Sequence, residues 1–236
     1  MIALRRARRE PPSRNGVCRG IGESERPRTM MIRTLAIASL FLVLSAPRAL
    51  AQEAPDALVK RVAEDTLATI RNDKDIQAGN YGKIRQVMET KLVPNFDFPR
   101  MTALAMGRNW RSATPEQQKQ LIDEFRTLLV RTYSGALANY RDNTMDYKPL
   151  RMNPGDTEVV VRTEVKRAGQ APVQIDYSME KTVDGWKAYD VIVAGVSLVT
   201  TYRDEFNDTV KSSGVDGLIK VLENKNRGPA SPPAAK

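Results

Sequence analysis

The sequence contains no histidine, so catalysis would have to rest on carboxylates, lysines or tyrosines. Asp190 is the most suggestive of these residues, because it lies between Tyr189 and Val191 in an apolar segment. A carboxylate in apolar surroundings can have a raised pKa and act as a general base, as in isomerases built on cone-shaped sheets. The alternation of the segment also allows Asp190 to face solvent near Lys187 or Arg203, and we favour that interpretation.

Two other places carry groups that are used in catalysis or anion binding. Ser197 lies between a predicted strand and a predicted helix, but it lacks the second glycine of a nucleophile elbow and a histidine to activate it. We therefore expect Ser197 to cap the helix. Arg108 and Arg111 flank Trp110, where they could bind a phosphate or lie in a solvated loop, and both alternatives stay open.

An apolar segment near the N-terminus has the pattern of a secretory signal peptide. Arg33 precedes a run of about ten apolar residues, and small residues lie at the first and third positions before a cut after Ala51. Residues 30–51 are therefore predicted to be a cleavable signal peptide. Residues 1–29 are predicted to be a mis-annotated gene start or an unstructured pre-extension, and the mature chain would begin at Gln52.

Removal of residues 1–51 changes the chemistry available to the chain. These residues hold ten arginines and three glutamates, so the formal net charge falls from +9 to +2 on 27 basic and 25 acidic side chains. So small a charge does not favour nucleic-acid binding, which depends on neutralising phosphates. Cys18, the only cysteine, is also removed, and without cysteine or histidine the usual zinc sites and thiolate nucleophiles cannot form. We therefore expect that the protein binds no metal or cofactor and is not an enzyme.

The first half of the mature chain has helical periodicity. The spacing of apolar residues predicts helices over 54–71 and 79–93, and a short helix that ends at Gly107. The sequence Thr114-Pro115-Glu116-Gln117 is typical of a capping box with proline in the first turn. It predicts the start of a long helix that runs to about Tyr140.

The second half alternates apolar and polar residues with a period of two, which is typical of antiparallel strands. Strands are predicted over 157–166, 173–180 and 189–193, with a hairpin turn at Asp184-Gly185. A fourth strand is predicted over 145–151, at an edge of the sheet because it contains a proline.

Two closing helices are predicted over 198–212 and 215–224, and the composition of 226–236 is typical of a disordered tail. The predicted fold class is therefore α+β, with one domain over 52–225. An antiparallel sheet of about four strands would pack against an N-terminal helical layer and the two C-terminal helices. A curved sheet covered in this way forms a cone or a cleft.

Sixteen apolar or aromatic residues are expected to face one another between the helices and the sheet. They are Phe96, Phe98, Met101, Leu104, Phe125, Leu128, Leu129, Tyr133, Val161, Val165, Ile175, Tyr177, Met179, Tyr189, Val191 and Val193. Such a set is usually an ordinary core, although flexible methionines would also suit an adaptable cavity.

Several spaced motifs follow one another along 54–222. They are LVPNFDF at 92–98, MGRNW at 106–110, ATPEQ at 113–117, WKAYDV at 186–191 and GVSL at 195–198, with Tyr202-Arg203 and Glu205-Phe206 after them. Together these motifs resemble the MlaC or toluene-tolerance family of periplasmic phospholipid-binding proteins.

The resemblance implies a periplasmic carrier that maintains the lipid asymmetry of the outer membrane. Its implied partners are phospholipid, an outer-membrane lipoprotein and porin complex, and an inner-membrane ABC transporter with its periplasmic lipid-binding subunit. The acyl chains would lie in an apolar pocket between the sheet and the helices, so the sixteen residues would be lipid-binding. Because each buried methylene is worth about 0.8 kcal/mol, acyl chains need a dry container to cross water.

Three alternatives stay open beside this interpretation. A related carrier could hold another lipid, such as a hopanoid, in the same pocket. An enzyme with a cone-shaped sheet would need a buried carboxylate, for which Asp190 is the candidate. A non-lipid adaptor would have a filled core in place of a cavity.

Overall fold

The structure is a computed structural model that describes residues 52–138 and 143–228. The predicted signal peptide, the segment 1–29 and most of the predicted tail lie outside the described residues. The fold is α+β: along the sequence, helices precede and follow the strands of a five-stranded antiparallel sheet. This confirms the predicted fold class. No helix within the described ranges combines the length and the apolar character that a membrane span requires.

Three helices form the N-terminal part of the described chain. Helix α1 spans Pro55–Asn72, in close agreement with the prediction, and starts at a proline, whose missing N–H costs nothing there. Helix α2 spans Lys74–Gln77 and helix α3 spans Tyr81–Val87. Asp73 and Asn80 cap them by accepting hydrogen bonds from two backbone N–H groups each.

The chain stays helical beyond α3 but changes its geometry. A π-helical turn over Met88–Leu92 and a 3-10 turn over Val93–Asn95 follow α3 directly. The predicted helix over 79–93 is therefore correct in extent but is only partly α-helical. Inserted π turns are rare and occur frequently at functional sites.

Helices α4 and α5 follow, and the end predicted for α4 and the start predicted for α5 are observed, whereas the end predicted for α5 at about Tyr140 lies outside the described residues. Helix α4 spans Phe98–Met106 and ends at Gly107, which has a φ of +55°. A 3-10 turn over Gly107–Ser112 leads to α5, Pro115–Ala138. The capping box is present, because the backbone N–H of Thr114 donates to Gln117 Oε1 at 2.9 Å and the backbone N–H of Gln117 donates to Thr114 Oγ1 at 3.2 Å.

The strands form a simple antiparallel meander in the order β1-β2-β3-β4-β5. They are β1 Thr144–Tyr147, β2 Glu158–Lys166, β3 Val173–Thr182, β4 Gly185–Val193 and β5 Val196–Ser197. Strand β1 lies at an edge, as predicted, but it ends at Tyr147 and not at residue 151, because Pro149 cannot donate to a ladder. The two-residue strand β5 is the one that the sequence did not predict.

The closing helix α6 spans Leu198–Arg227. Gly214 interrupts it with a φ of +71° and a ψ of −177°, a conformation that is essentially restricted to glycine. The break corresponds to the boundary between the two predicted closing helices. The helix also includes Asn226 and Arg227, which the composition assigned to the tail, and Asn226 Nδ2 donates to Glu124 Oε2 at 2.6 Å.

The hairpin between β3 and β4 differs from the prediction by one residue. Thr182 pairs with Gly185, so the two loop residues are Val183 and Asp184. Gly185, with a φ of +122°, is the first residue of β4. The positive φ at this turn is therefore adopted by a glycine that belongs to the strand and not to the two-residue loop.

A β-bulge in β4 changes which side chains face the helices. Ser178 pairs with Asp190 but Met179 pairs with Ala188, so Tyr189 is the extra residue. Trp186 and Ala188 are buried before the bulge, whereas Val191 and Val193 face inward after it. The alternation predicted over 189–193 is thus correct for the two valines and wrong for Tyr189.

The buried apolar residues form three clusters. The first lies between α4, α5 and α6 and contains the fully buried Phe125 and Phe206. The second joins the first half of α1 to the sheet at Val161 and Met179. The third contains Ile70 and packs α1, α2 and α3 together. The sheet is therefore covered by α1 at the end where β2 and β4 begin.

Arg100 fastens α4 to that same end of the sheet. Its Nη1 donates to Glu180 Oε2 at 2.5 Å, its Nη2 donates to Glu158 Oε1 at 2.6 Å, and its guanidinium lies 3.6 Å from the ring centroid of Tyr189. Burial alone would lower the pKa of Arg100, but the hydrogen bonds to Glu158 and Glu180 raise it. We name these four residues the Arg100 cluster.

We expect the variant Arg100→Met to unfold more easily, because it leaves two carboxylates together without their cation. The free energy of unfolding should fall by about 1–3 kcal/mol, between the values typical of exposed and buried ion pairs. Urea denaturation of the mature chain measures this change. The control is Lys211→Met, which removes an exposed pair with Asp208, and equal losses in the two variants would contradict the assigned role.

Candidate functional site

An apolar cavity of about 390 Å³ lies between the sheet and the helices. This volume is within the range of ligand-binding sites in proteins. Its wall consists of Ala63, Thr66, Leu67, Met88, Leu92, Val93, Phe96, Phe98, Met101, Leu129, Val130, Tyr133, Leu137, Asn143, Thr144, Met145, Val165, Ile175, Tyr177, Val191, Val193 and Leu198. None of these residues carries a charge, so the wall offers an apolar surface with a few neutral polar groups.

The position of an inward residue along its strand determines whether it lines the cavity. Val161 pairs with Tyr177, and Tyr177 pairs with Val191, so these three residues form a row across the middle of the sheet. On one side of this row, α1 and the Arg100 cluster cover the sheet. On the other side, inward residues such as Ile175 and Val193 meet open space, and they line the cavity.

Ten of the sixteen residues predicted to face one another do line this cavity. They are Phe96, Phe98, Met101, Leu129, Tyr133, Val165, Ile175, Tyr177, Val191 and Val193. That they contact a lipid stays a prediction.

The other six residues are not among those that line the cavity, and their role as lipid contacts stays a prediction. Phe125 and Leu128 belong to the cluster between α4, α5 and α6, and Leu104 packs against it. Val161 and Met179 are buried under α1 at the covered end of the sheet. Tyr189 is the bulge residue whose ring lies under Arg100. Helix packing fills the space in front of the first five of these residues, whereas Tyr189 lies at the bulge with its ring against Arg100.

The sequence analysis missed the wall residues contributed by α1 and by the π-helical turn. Leu67, Met88 and Leu92 lie on apolar faces of helices that were predicted, so their periodicity was an available signal. Which apolar face borders open space depends on how the helices cross the sheet. That information is not contained in the periodicity of any one helix.

The π-helical turn is held in place by ion pairs to two neighbouring helices. Glu89 pairs with Arg126 of α5, and Lys91 pairs with Asp65 of α1. Ser134 Oγ also lies 3.2 Å from the sulfur of Met88. The turn therefore bridges α1 and α5 and presents Met88 to the cavity.

Asp190 caps a helix and lies outside the cavity wall. Its Oδ1 accepts from the backbone N–H of Val199 at 3.1 Å and of Val191 at 2.8 Å, and its Oδ2 accepts from Ser197 Oγ at 2.5 Å. Ser197 Oγ in turn accepts from the backbone N–H of Thr200 at 3.0 Å, which confirms the predicted cap. The bonds of the carboxylate therefore go to the N-terminus of α6 and its flanking residues, and not to the side chains of Lys187 or Arg203.

The other candidate groups also lie away from the cavity. Arg108 and Arg111 are exposed in the 3-10 turn that precedes α5, and neither belongs to the wall. Among residues 52–138 and 143–228, no group of histidine, cysteine, aspartate and glutamate side chains could hold a metal ion.

Tyr133 is a residue of the cavity wall whose pKa is shifted. Burial, with a smaller contribution from Tyr202, raises the pKa of Tyr133 to about 12. The phenol therefore keeps its proton well into the alkaline range.

The fold and the site define an α+β binding domain with an internal apolar cavity. Comparison with known protein families identifies the family of this domain: the family model described as MlaC protein matches residues 60–224. The chain belongs to the MlaC family.

Known relatives agree with this assignment. The chain is 25% identical over 195 residues to toluene tolerance protein ttg2D of Pseudomonas putida, covering 82% of this chain and 90% of the relative. It is 23% identical over 186 residues to the intermembrane phospholipid transport system binding protein MlaC of Haemophilus influenzae, covering 77% and 86%.

A solved structure is also similar. The phospholipid-binding protein from Ralstonia solanacearum, determined in complex with a phospholipid, matches with a TM-score of 0.69 and 47% sequence identity. The match covers 74% of this chain and 97% of that protein.

We expect the burial of Tyr133 to make stability depend on alkaline pH. The unfolded phenol loses its proton near pH 10, whereas folded Tyr133 keeps it until about pH 12. Between these values the native state binds more protons than the unfolded state, so stability decreases as pH rises. Urea denaturation across this range should show a shallower decrease for Tyr133→Phe than for the unsubstituted protein. Identical slopes would show that the phenol is not buried in this way.

Proposed function

We propose that the protein is a phospholipid carrier whose cavity holds acyl chains. The observation that carries the proposal is the uncharged cavity between the sheet and the helices, in a chain of the MlaC family. The phospholipid complex of the similar Ralstonia solanacearum protein supports the same ligand class. The carrier needs no catalytic group for this task, and the cavity wall carries none of the carboxylates considered above.

The physical reason for such a cavity is the cost of exposing acyl chains to water. At about 0.8 kcal/mol per methylene, even ten methylenes represent about 8 kcal/mol of hydrophobic free energy. A lipid that leaves a bilayer must recover this free energy from another apolar surface. A wall without charges recovers it without the desolvation cost of burying an ionised group.

We place this carrier in the periplasm, exported by the cleavable signal peptide at 30–51. It would move phospholipid between an outer-membrane lipoprotein and porin complex and an inner-membrane ABC transporter with its periplasmic lipid-binding subunit. The Haemophilus influenzae relative, named as the binding protein of an intermembrane phospholipid transport system, supports this part of the proposal. The expected consequence in the cell is the lipid asymmetry of the outer membrane.

The variant Val191→Trp tests the cavity, because Val191 lies on its wall while the next residue, Ile192, faces the other side of β4. The indole should fill space that acyl chains require and reduce bound phospholipid about tenfold. The measurement is phosphorus and extracted lipid per mole of purified mature protein.

Ile192→Trp is the matched control, since it adds the same side chain to the opposite face of the same strand. It should retain the lipid of the unsubstituted protein. Equal lipid content in the two variants would refute the assigned cavity, and mass spectrometry that found only a hopanoid or no lipid would refute the phospholipid assignment.

A further inference from the structure

Two buried polar atoms on the cavity wall have no hydrogen-bond partner. Thr66 on α1 is 2% exposed and Asn143, just before β1, is 6% exposed. Within the described residues, Thr66 Oγ1 and Asn143 Oδ1 neither donate to nor accept from any group. Buried polar atoms are nearly always paired in native proteins, so two exceptions on one apolar wall need an explanation.

Thr66 differs from other threonines in the helices of this protein. Thr69, Thr102 and Thr127 each donate a hydrogen bond to the backbone carbonyl four residues earlier, at 2.8, 2.7 and 2.8 Å. This local bond is the usual way for a helical threonine to satisfy its hydroxyl. The Thr66 hydroxyl does not make it, and Thr66 is one of the residues of the cavity wall.

Asn143 lies near the same part of α1. Arg71 Nη2 donates to the backbone carbonyl of Asn143 at 2.8 Å, and Arg71 is five residues beyond Thr66 along the helix, about 7.5 Å of helical rise. Thr144, which follows Asn143, lines the cavity and is exposed to solvent. The two unpaired atoms therefore lie where the apolar cavity approaches solvent and a guanidinium.

The order of chemical groups in a phospholipid matches this arrangement. Apolar chains come first, then the neutral ester groups that join them to glycerol, and then the charged phosphate. An ester carbonyl accepts a hydrogen bond without bringing a charge into the buried region, which a phosphate or an ammonium group would do. The charged head group would remain outside, on the side of the exposed Arg71.

We propose that Thr66 and Asn143 bind the ester linkage of the phospholipid, an inference that rests on the proposed function. The Thr66 hydroxyl donates to an ester carbonyl at the root of an acyl chain. The side-chain amide of Asn143 also carries N–H donors, and its oxygen has no hydrogen bond to lose if the amide turns about its last torsion. The pair thereby fixes how deeply the acyl chains enter the cavity.

The test compares two lipids that differ only at the linkage. Delipidated mature protein is titrated with vesicles that contain phosphatidylglycerol with ester-linked chains, or its diether analogue of equal chain length. A single neutral hydrogen bond corresponds to a preference of about 3- to 10-fold for the diester. Thr66→Val and, independently, Asn143→Leu should reduce this preference to about twofold or less.

Two controls separate the hydroxyl from the shape of the side chain. Thr66→Ser keeps a hydroxyl at the same position and should retain the preference. Thr69→Val removes a hydroxyl of the same helix that is already bonded to Asp65 and should also retain it. In addition, lipid-free Thr66→Val should unfold at the same or a higher temperature, since it removes an unpaired buried group, although it binds the diester more weakly.

The outcomes distinguish this inference from the proposed function. Equal affinity of the unsubstituted protein for diester and diether lipid, or a preference that survives in both Thr66→Val and Asn143→Leu, would overturn the inference while leaving the carrier intact. Failure of the unsubstituted protein to bind either lipid would overturn the proposed function itself.

Discussion

The cavity depends on one constraint, which is that α1 and α4 pack directly on the sheet at one end, whereas space remains between the sheet and the helices further along. At the covered end, α1 packs on Val161 and Met179, and the Arg100 cluster fastens α4 to β2 and β3. Protein interiors are close-packed, so apolar surfaces that can meet will meet. Because these contacts anchor the helical layer at one end, the inward residues of the other end border open space, and an uncharged cavity is the result.

The sequence could predict which residues face inward but could not predict which of them border space. The alternation in β2 correctly predicted that Val161 and Val165 share a face, yet α1 covers the first and the cavity lies over the second. The distinction arises from a helix that lies about a hundred residues earlier in the chain. The Tyr189 bulge is similar, because an extra residue in one strand is defined by its pairing with another.

Residue types that are used in catalysis gave misleading predictions of the functional site for a related reason. A carboxylate in an apolar segment is a candidate general base only if no protein group binds it, and Asp190 is bound by Ser197 and the N-terminus of α6. On the cavity wall, the two buried side-chain atoms that lack partners belong to Thr66 and Asn143, which are neutral and lie in segments without a motif. In this protein the family motifs were informative because their order along the chain reflects the whole fold.

A carrier must bind lipid firmly enough to hold it in water and weakly enough to release it, and the cavity provides for both. Its wall is apolar, which on the proposed function favours acyl chains, and four strand residues of the wall, Ile175, Tyr177, Val191 and Val193, are half-buried. Such residues can exchange lipid for solvent at a limited cost, since water already reaches them. The π-helical turn, which forms part of this wall, is tied to α1 and α5 by ion pairs. Binding and release can therefore be balanced by how far water reaches one wall of the cavity. The packing at the covered end of the sheet holds the domain together.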